Sequence, residues 1–472
     1  MARMPIYPLV AIVGATGTGK SELAVEIARR FDGEIINGDA MQLYRGLPII
    51  TNKVTPEETR GVPHHLLGRI ELAEETWTVG KFVNTALQTM DEIRGRGKLP
   101  ILVGGTHYYI QSLLFQDAMS EEAALTSAHD NEPLPILDEP TSVILAKLQE
   151  VDPVMAGRWH PNERRKIQRS LEIYLRTGRP ASEIYDDQRT RRDRPPEASD
   201  GRSGSNRSGL RFPTLLLWVH TNKDVLHLRL DGRVDKMLEK GLLQEVETLT
   251  DFKHQRETDT GRVVDQTRGI WVSIGYKEFL EYEAALSRSN LLAKELEQVK
   301  EACVAKTQAA TRQYANRQIK WIRIKLLNAF IAAKRQENVF LLDGSDLSQW
   351  TENVVQPALK MTRKFMAGED LPPPSSLSTT AAEMLTPKRD YDLGQRPDLW
   401  QKRVCDTCGT IAVTENDWKL HVKSRAHRRA VGAEKKLKNI NGRLDGRQTS
   451  ESVTSDVLEG YVNVFGDGES TT

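Results

Sequence analysis

Short, uninterrupted apolar runs alternate with amphipathic stretches through much of this chain. Leu9-Val10-Ala11-Ile12-Val13, Glu34-Ile35-Ile36-Asn37, Pro100-Ile101-Leu102-Val103 and Thr214-Leu215-Leu216-Leu217-Trp218-Val219 lack a polar face and predict strands covered on both sides. Helical periodicity fills the gaps. Leu23, Ile27 and Phe31 share one face, a helix is expected near Thr78–Arg94, and another over Leu226–Lys240 ends at Gly241. Val143–Val151 and Pro161–Arg176 read as helices in a segment with little strand character, Ile167, Leu171 and Leu175 forming the buried stripe of the second. A later stripe, Ala315, Ile319, Ile322 and Leu326, marks a further helix. The pattern predicts an α/β fold, a parallel-sheet core with an inserted all-helical domain.

Shifts in composition suggest the boundaries. Residues 1–116 form the first part of the core, 117–210 the helical insert with a disordered loop, and 211–365 the rest of the core with a basic helix. A Pro-, Ser- and Thr-rich linker over 366–400, a small module over 401–440 and a disordered tail over 441–472 complete the chain. For 472 residues, two or three domains are expected. The 66 basic and 65 acidic residues leave a net charge of +1, so a polyanionic partner must be met by local patches. No apolar run approaches the roughly 20 residues of a membrane helix, and the first residues run directly into a glycine-rich loop, so neither a membrane partner nor a cleaved secretory signal is expected. Three cysteines, two of them close in sequence, exclude a disulfide scaffold and point to a reducing compartment. The expected location is the cytoplasm, with mitochondrion and nucleus left open.

The glycine-rich loop is the strongest chemical signal. Gly14-Ala15-Thr16-Gly17-Thr18-Gly19-Lys20-Ser21 follows a strand and opens a helix, the setting of a P-loop. Its glycines let successive N–H groups point at one anion, the helix end adds positive potential, Lys20 supplies a mobile charge, and Ser21 is placed to hold magnesium. Asp39, in Gly38-Asp39-Ala40-Met41-Gln42, and Thr106, in Gly104-Gly105-Thr106-His107, follow the second and third strands and so reach the same carboxyl edge. By position, Asp39 is a helix cap, a carboxylate behind the magnesium or a general base. Thr106 is a helix cap or a hydroxyl of the site. Neither Pro100–Val103 nor Thr214–Val219 ends in the acidic residue that holds metal-bound water in nucleoside triphosphatases, which argues against a motor or switch.

Three further stretches carry charge. Arg164-Arg165-Lys166-Ile167-Gln168-Arg169-Ser170-Leu171-Glu172 offers either a solvated basic face or one for a polyanion. Arg312, Lys320 and Arg323 lie together beside the stripe at 315–326, with Tyr314 and Trp321 further round. That arrangement suits a nucleic-acid backbone and unstacked bases, a solvated face being the alternative. Cys405-x2-Cys408-x12-His421-x5-His427 has the spacing of a tetrahedral zinc site, which in so small a module supplies much of the folding free energy. Between Gln401 and Ile440 ten Lys or Arg face four Asp or Glu, pointing to nucleic acid.

Together with Asn37–Gln42, Val103–Tyr109, Ser273–Phe279 and Thr311–Gln318, these motifs resemble the tRNA dimethylallyltransferase family over residues 8–345, and the finger looks like that of its eukaryotic members. The resemblance implies transfer of a dimethylallyl group from dimethylallyl diphosphate to N6 of the adenosine 3′-adjacent to the tRNA anticodon, with magnesium and a structural zinc as cofactors. It implies that Gly14, Ala15, Thr16, Gly17, Thr18, Gly19, Lys20 and Ser21 cradle the diphosphate together with Arg233. Asp39 becomes the base, and Thr106 binds the bridging oxygen. Contacts to the anticodon stem-loop carry over onto Asp39, Ala40, Met41 and Gln42, onto Gln168, Arg169, Ser170, Leu171 and Glu172, and onto Arg312, Arg317, Lys320 and Arg323. Asn316 departs from the lysine usual in close eukaryotic relatives, and a monomer is expected. The alternative is a P-loop kinase of a nucleoside or small alcohol, again with Asp39 as base, which has no use for the basic helix or the finger.

Overall fold

A computed structural model describes residues 7–116, 134–193, 209–288, 292–387 and 399–444. Strands β1 (Leu9–Gly14), β2 (Gly33–Asn37), β3 (His64–His65), β4 (Leu99–Val103), β5 (Thr214–His220) and β6 (Val339–Asp343) form one parallel sheet in the order β3-β2-β4-β1-β5-β6. At its centre Val10 pairs with Ile101 on one side and Leu215 on the other. The central strands β1, β4 and β5 are nearly continuous apolar runs because both faces are covered. Leu9, Ala11 and Val13 enter a cluster with Phe82 and Ile110, whereas Val10 and Ile12 face Leu23, Ile27, Met361 and Phe365 across the sheet.

The four expected strands are joined by β3 and β6. β3 has only two residues, too few for a period, and β6 comes after a long helical region from which a short apolar run cannot be told apart by pattern. Within 366–400, expected as a linker, Thr379–Met384 forms a helix capped by the Ser378 hydroxyl, which accepts from the Ala381 N–H at 3.0 Å. Ala381 is wholly buried, and Thr380 donates to Asp343 Oδ2 at 3.1 Å. Of the stretches expected to be disordered, 194–208 and 445–472 lie outside the described residues, whereas Asn441–Leu444 ends the helix Arg425–Leu444.

The chain divides into two compact units, Met1–Pro133 with Ile173–Gln395, and Leu134–Glu172 with Arg396–Thr472. The first holds the sheet. In the second, Trp159 donates from its indole to the Ser170 hydroxyl at 2.9 Å, and Arg164 reaches the carbonyls of Leu137 and Glu139 at 3.1 and 2.6 Å.

The loops that leave β2 and β4 touch at backbone level. The Gly38 N–H donates to the Val103 carbonyl at 2.7 Å, and a Cβ on Gly104 would overlap the Gly38 backbone. Gly104→Ala should therefore cost about 1–3 kcal/mol by overpacking. Urea unfolding checks this as a lower midpoint at unchanged slope, and an unchanged midpoint would mean that the two loops part freely.

Candidate active site

The loop after β1 curls because Gly17 and Gly19 take φ of 80° and 86°, conformations that side-chain-bearing residues avoid. Lys20 starts the helix Lys20–Arg30, and its Nζ folds back to the Ala15 carbonyl at 2.6 Å, which also accepts from Thr18 Oγ1 at 2.9 Å. Burial lowers the Lys20 pKa to about 8, with Asp39 opposing and Arg233 reinforcing the shift. Arg233, on the helix Lys223–Glu239, donates to Thr16 Oγ1 at 2.6 Å and to Asn52 Oδ1 at 3.0 Å, which joins the P-loop to the loop following β2. Ser21 lies exposed at the first helical turn.

Asp39 is held by a turn of its own. Its N–H donates to Asn37 Oδ1, Asn37 Nδ2 donates to the carbonyls of Asp39 and Leu66, and Asp39 Oδ1 accepts the Met41 N–H, each at 3.0 Å. Burial raises the Asp39 pKa above the ordinary 3.8, although the Met41 and Gln42 N–H groups, Lys20 and Arg233 all favour the anion. The helix His107–Leu114 begins just after Thr106, but the Thr106 hydroxyl does not cap it. Thr106 Oγ1 instead accepts the Ala40 N–H across the two loops at 3.0 Å, and its hydroxyl is also hydrogen-bonded to the Tyr314 phenol. Lys20, Asp39, Thr106 and Arg233 thus converge on one sheet edge. His107, beside them, is buried and kept neutral, its pKa lowered to about 3 by burial and then by Lys20.

Sequence reasoning gave no site role to Asn37, Asn52 or Gln318. Gln318 is buried on the helix Ala293–Trp321 and hydrogen-bonds both the P-loop and the Gly105 carbonyl. Tyr314, one turn earlier, has its phenol pKa raised by burial and by Asp39. The spacing of these two residues reveals a shared helix face, but nothing local reveals which loops it meets.

The basic residues of this helix are not gathered on one free face. Arg312 pairs with Asp231 and Arg323 donates to the Thr386 carbonyl at 3.4 Å, whereas Arg317 and Lys320 are exposed. Near Asp39, Gln42 donates to the Asn52 carbonyl at 2.8 Å, Met41 receives the Ser273 hydroxyl, and Ala40 is half-buried. In the second unit Leu171 and Ser170 are buried, Gln168 donates to the Leu137 carbonyl at 2.7 Å, and Arg169 pairs with Glu172 at 3.0 Å.

In the same unit β7 (Trp400–Val404) and β8 (Ile411–Thr414) form an antiparallel hairpin that leads into the helix Glu415–Val422. Donor atoms of Cys405, Cys408, His421 and His427 all lie within 4.8 Å of one another. Cys405 Sγ and His427 Nδ1 are 3.5 Å apart, as are Cys408 Sγ and His421 Nε2. A tetrahedral zinc with bonds of about 2.0–2.3 Å has edges of roughly 3.3–3.8 Å, so the set can hold that ion.

The family model described as IPP transferase matches residues 42–325. The chain is 38% identical to a tRNA dimethylallyltransferase of Schizosaccharomyces pombe, covering 92% of this chain and 99% of the relative. It is 35% identical to that of Homo sapiens, covering 95% and 90%. Its fold is similar to the crystal structure of a eukaryotic dimethylallyltransferase acting on tRNA, with a TM-score of 0.71 and 32% identity over 92% of this chain and 99% of that one.

Two measurements probe the site and the finger. Affinity for inorganic diphosphate, measured by calorimetry, should fall as pH rises above about 8 and Lys20 loses its proton, and Lys20→Ala should flatten that dependence. A chelator should remove the far-UV helical signal of the finger while the sheet unit keeps its unfolding transition.

Proposed function

The chain belongs to the IPP transferase family of tRNA dimethylallyltransferases and is a prenyltransferase acting on tRNA; on that premise we propose how its residues divide the work. Dimethylallyl diphosphate lays its diphosphate on the N–H groups of the P-loop, with Lys20 and Arg233 neutralising the charge that grows as the C–O bond breaks. The Thr106 hydroxyl turns its proton from Tyr314 to the bridging oxygen. N6 of the adenosine 3′-adjacent to the anticodon attacks the allylic carbon, the N–C bond forms, and the N6 proton passes to Asp39. Diphosphate leaves.

The observation that carries this reading is the balance at Asp39, a carboxylate whose pKa is raised by burial although two cations pull it down. An adenine amine is a weak nucleophile because its lone pair is delocalised into the ring, so a base of raised pKa is the group such a transfer needs. Magnesium held at Ser21 would add positive charge beside the departing diphosphate. In the finger, zinc on Cys405, Cys408, His421 and His427 would order a basic module for the RNA backbone, and the exposed Arg317 and Lys320 offer further phosphate contacts. We place the protein in the cytoplasm, where the thiols of Cys405 and Cys408 stay reduced. The kinase alternative lapses, since the relatives matched over 92% and 95% of the chain are tRNA dimethylallyltransferases.

Purified protein, magnesium, labelled dimethylallyl diphosphate and an anticodon stem-loop with adenosine 3′ to the anticodon should yield labelled RNA. Unlabelled RNA together with ATP-dependent phosphorylation of a small acceptor would overturn the reading. Asp39→Ala should lower kcat by roughly 10²–10⁴-fold with RNA binding retained in gel-shift titration. In the wild type, kcat/KM should rise with pH through an acid limb above the ordinary carboxyl value of 3.8, because the base must be deprotonated.

A further inference from the structure

Lys20, Asp39, Thr106 and Arg233 sit on loops that leave three different strands and on a separate helix, and a transfer reaction needs those loops in fixed register. One side chain bridges two of them. Gln318 is 4% exposed; its Oε1 accepts the Thr16 N–H of the P-loop at 2.8 Å, and its Nε2 donates to the Gly105 carbonyl, next to Thr106, at 2.9 Å. The amide orientation is dictated by its partners, since an N–H needs an acceptor and a carbonyl needs a donor. Gly105 leaves the room for this bridge, because a Cβ there would lie 2.6 Å from Gln318 Nε2 and 3.0 Å from Asp39 Oδ2. The Gln318 amide and the Asp39 carboxylate therefore flank the same glycine.

The helix is built to aim this residue. One turn further on, Trp321 Nε1 donates to Gln111 Oε1 at 3.0 Å, which pins the helix to the one that starts at Thr106. At Ile322–Leu326 the helix widens into a π turn, where Ile322 and Leu326 are buried in the core. A π turn inserts an extra residue and rotates the helix beyond it, so Gln318 can face the loops while the next turn faces the sheet.

We propose that Gln318 is a positioning residue of the transfer reaction, a clasp that sets the spacing between the diphosphate cradle and the turn carrying Thr106. This rests on the roles proposed for Lys20, Asp39, Thr106 and Arg233. The clasp touches neither substrate, so its removal is felt in turnover more than in binding. Loss of register of about 1 Å typically costs on the order of 10²-fold in rate.

The variants are Gln318→Ala, which removes the hydrogen bonds to Thr16 and Gly105 together with a contact to the Tyr314 hydroxyl, and Gln318→Glu, which is isosteric, keeps the acceptor for Thr16 and loses the donor to Gly105. Gln318→Ala should lower kcat by about 10–100-fold, with KM for dimethylallyl diphosphate and affinity for the stem-loop within about threefold of wild type. Gln318→Glu adds a second carboxylate across Gly105 from Asp39, in a pocket whose other charged and titratable groups include Lys20, Lys53, His107, Arg233, Tyr314 and Arg317. It should move the acid limb of kcat/KM to higher pH by about half a unit or more, a shift that a purely structural role would not produce. Wild-type kcat in a folded Gln318→Ala protein, or an unmoved limb in Gln318→Glu, overturns the proposal. If Gln318→Ala fails to fold, the limb in Gln318→Glu decides alone. An inactive wild type would overturn the proposed roles of the site residues instead, which separates the two failures.

Discussion

A carboxylate beside a lysine and an arginine acts as a base only if burial offsets their pull, and the loops around Asp39 maintain that offset. Too much water would let Lys20 and Arg233 hold the carboxyl low, whereas without them a buried anion would be too costly to form. In the proposed reaction the same cations also serve the diphosphate. Their placement therefore has to satisfy two anions at once, and this explains why the loops are tied so closely: Asn37 under Asp39, Ala40 to Thr106, and Arg233 to both Thr16 and Asn52.

Parallel pairing makes such a convergence possible. With β1, β2 and β4 all running the same way, their carboxyl ends deliver three loops to one edge, and glycine at 38 and 104 lets two of them meet backbone to backbone. The helix Ala293–Trp321 then closes the arrangement from far along the chain, with Gln318 spanning the P-loop and the Gly105 turn. Residues that look like a basic RNA-facing stripe in sequence thus sit on an element whose buried side holds the site together.

The second unit is held by a different logic. Its sheet among the described residues is a two-stranded hairpin, and its order comes from local devices: the Arg164 contacts to turn carbonyls, the Trp159 to Ser170 hydrogen bond, and a Cys/His donor set able to hold a metal. Arg158 stacks between Trp159 and Trp400, with ring centroids 4.4 and 4.0 Å away, so β7 is joined to the Leu134–Glu172 part of the same unit by cation and aromatic contact.

The glycine-rich turn between strand and helix, the continuous apolar strands, the Cys/His spacing and the carboxyl-edge positions of Asp39 and Thr106 were legible in the chain because each depends on residues close in sequence: a strand next to a turn, a turn next to a helix, four donors within one small module. Two-residue β3 and late β6 were not, since neither carries a period long enough to read. Whether Thr106 caps its helix or bonds Ala40, whether Arg312 is free or paired with Asp231, and what Gln318 reaches are matters of contacts across dozens to hundreds of positions. Local sequence determined which chemical groups are present and on which kind of element. Only the tertiary structure decided their partners and their desolvation, because hydrogen bonds and burial depend on distance in space and not along the chain.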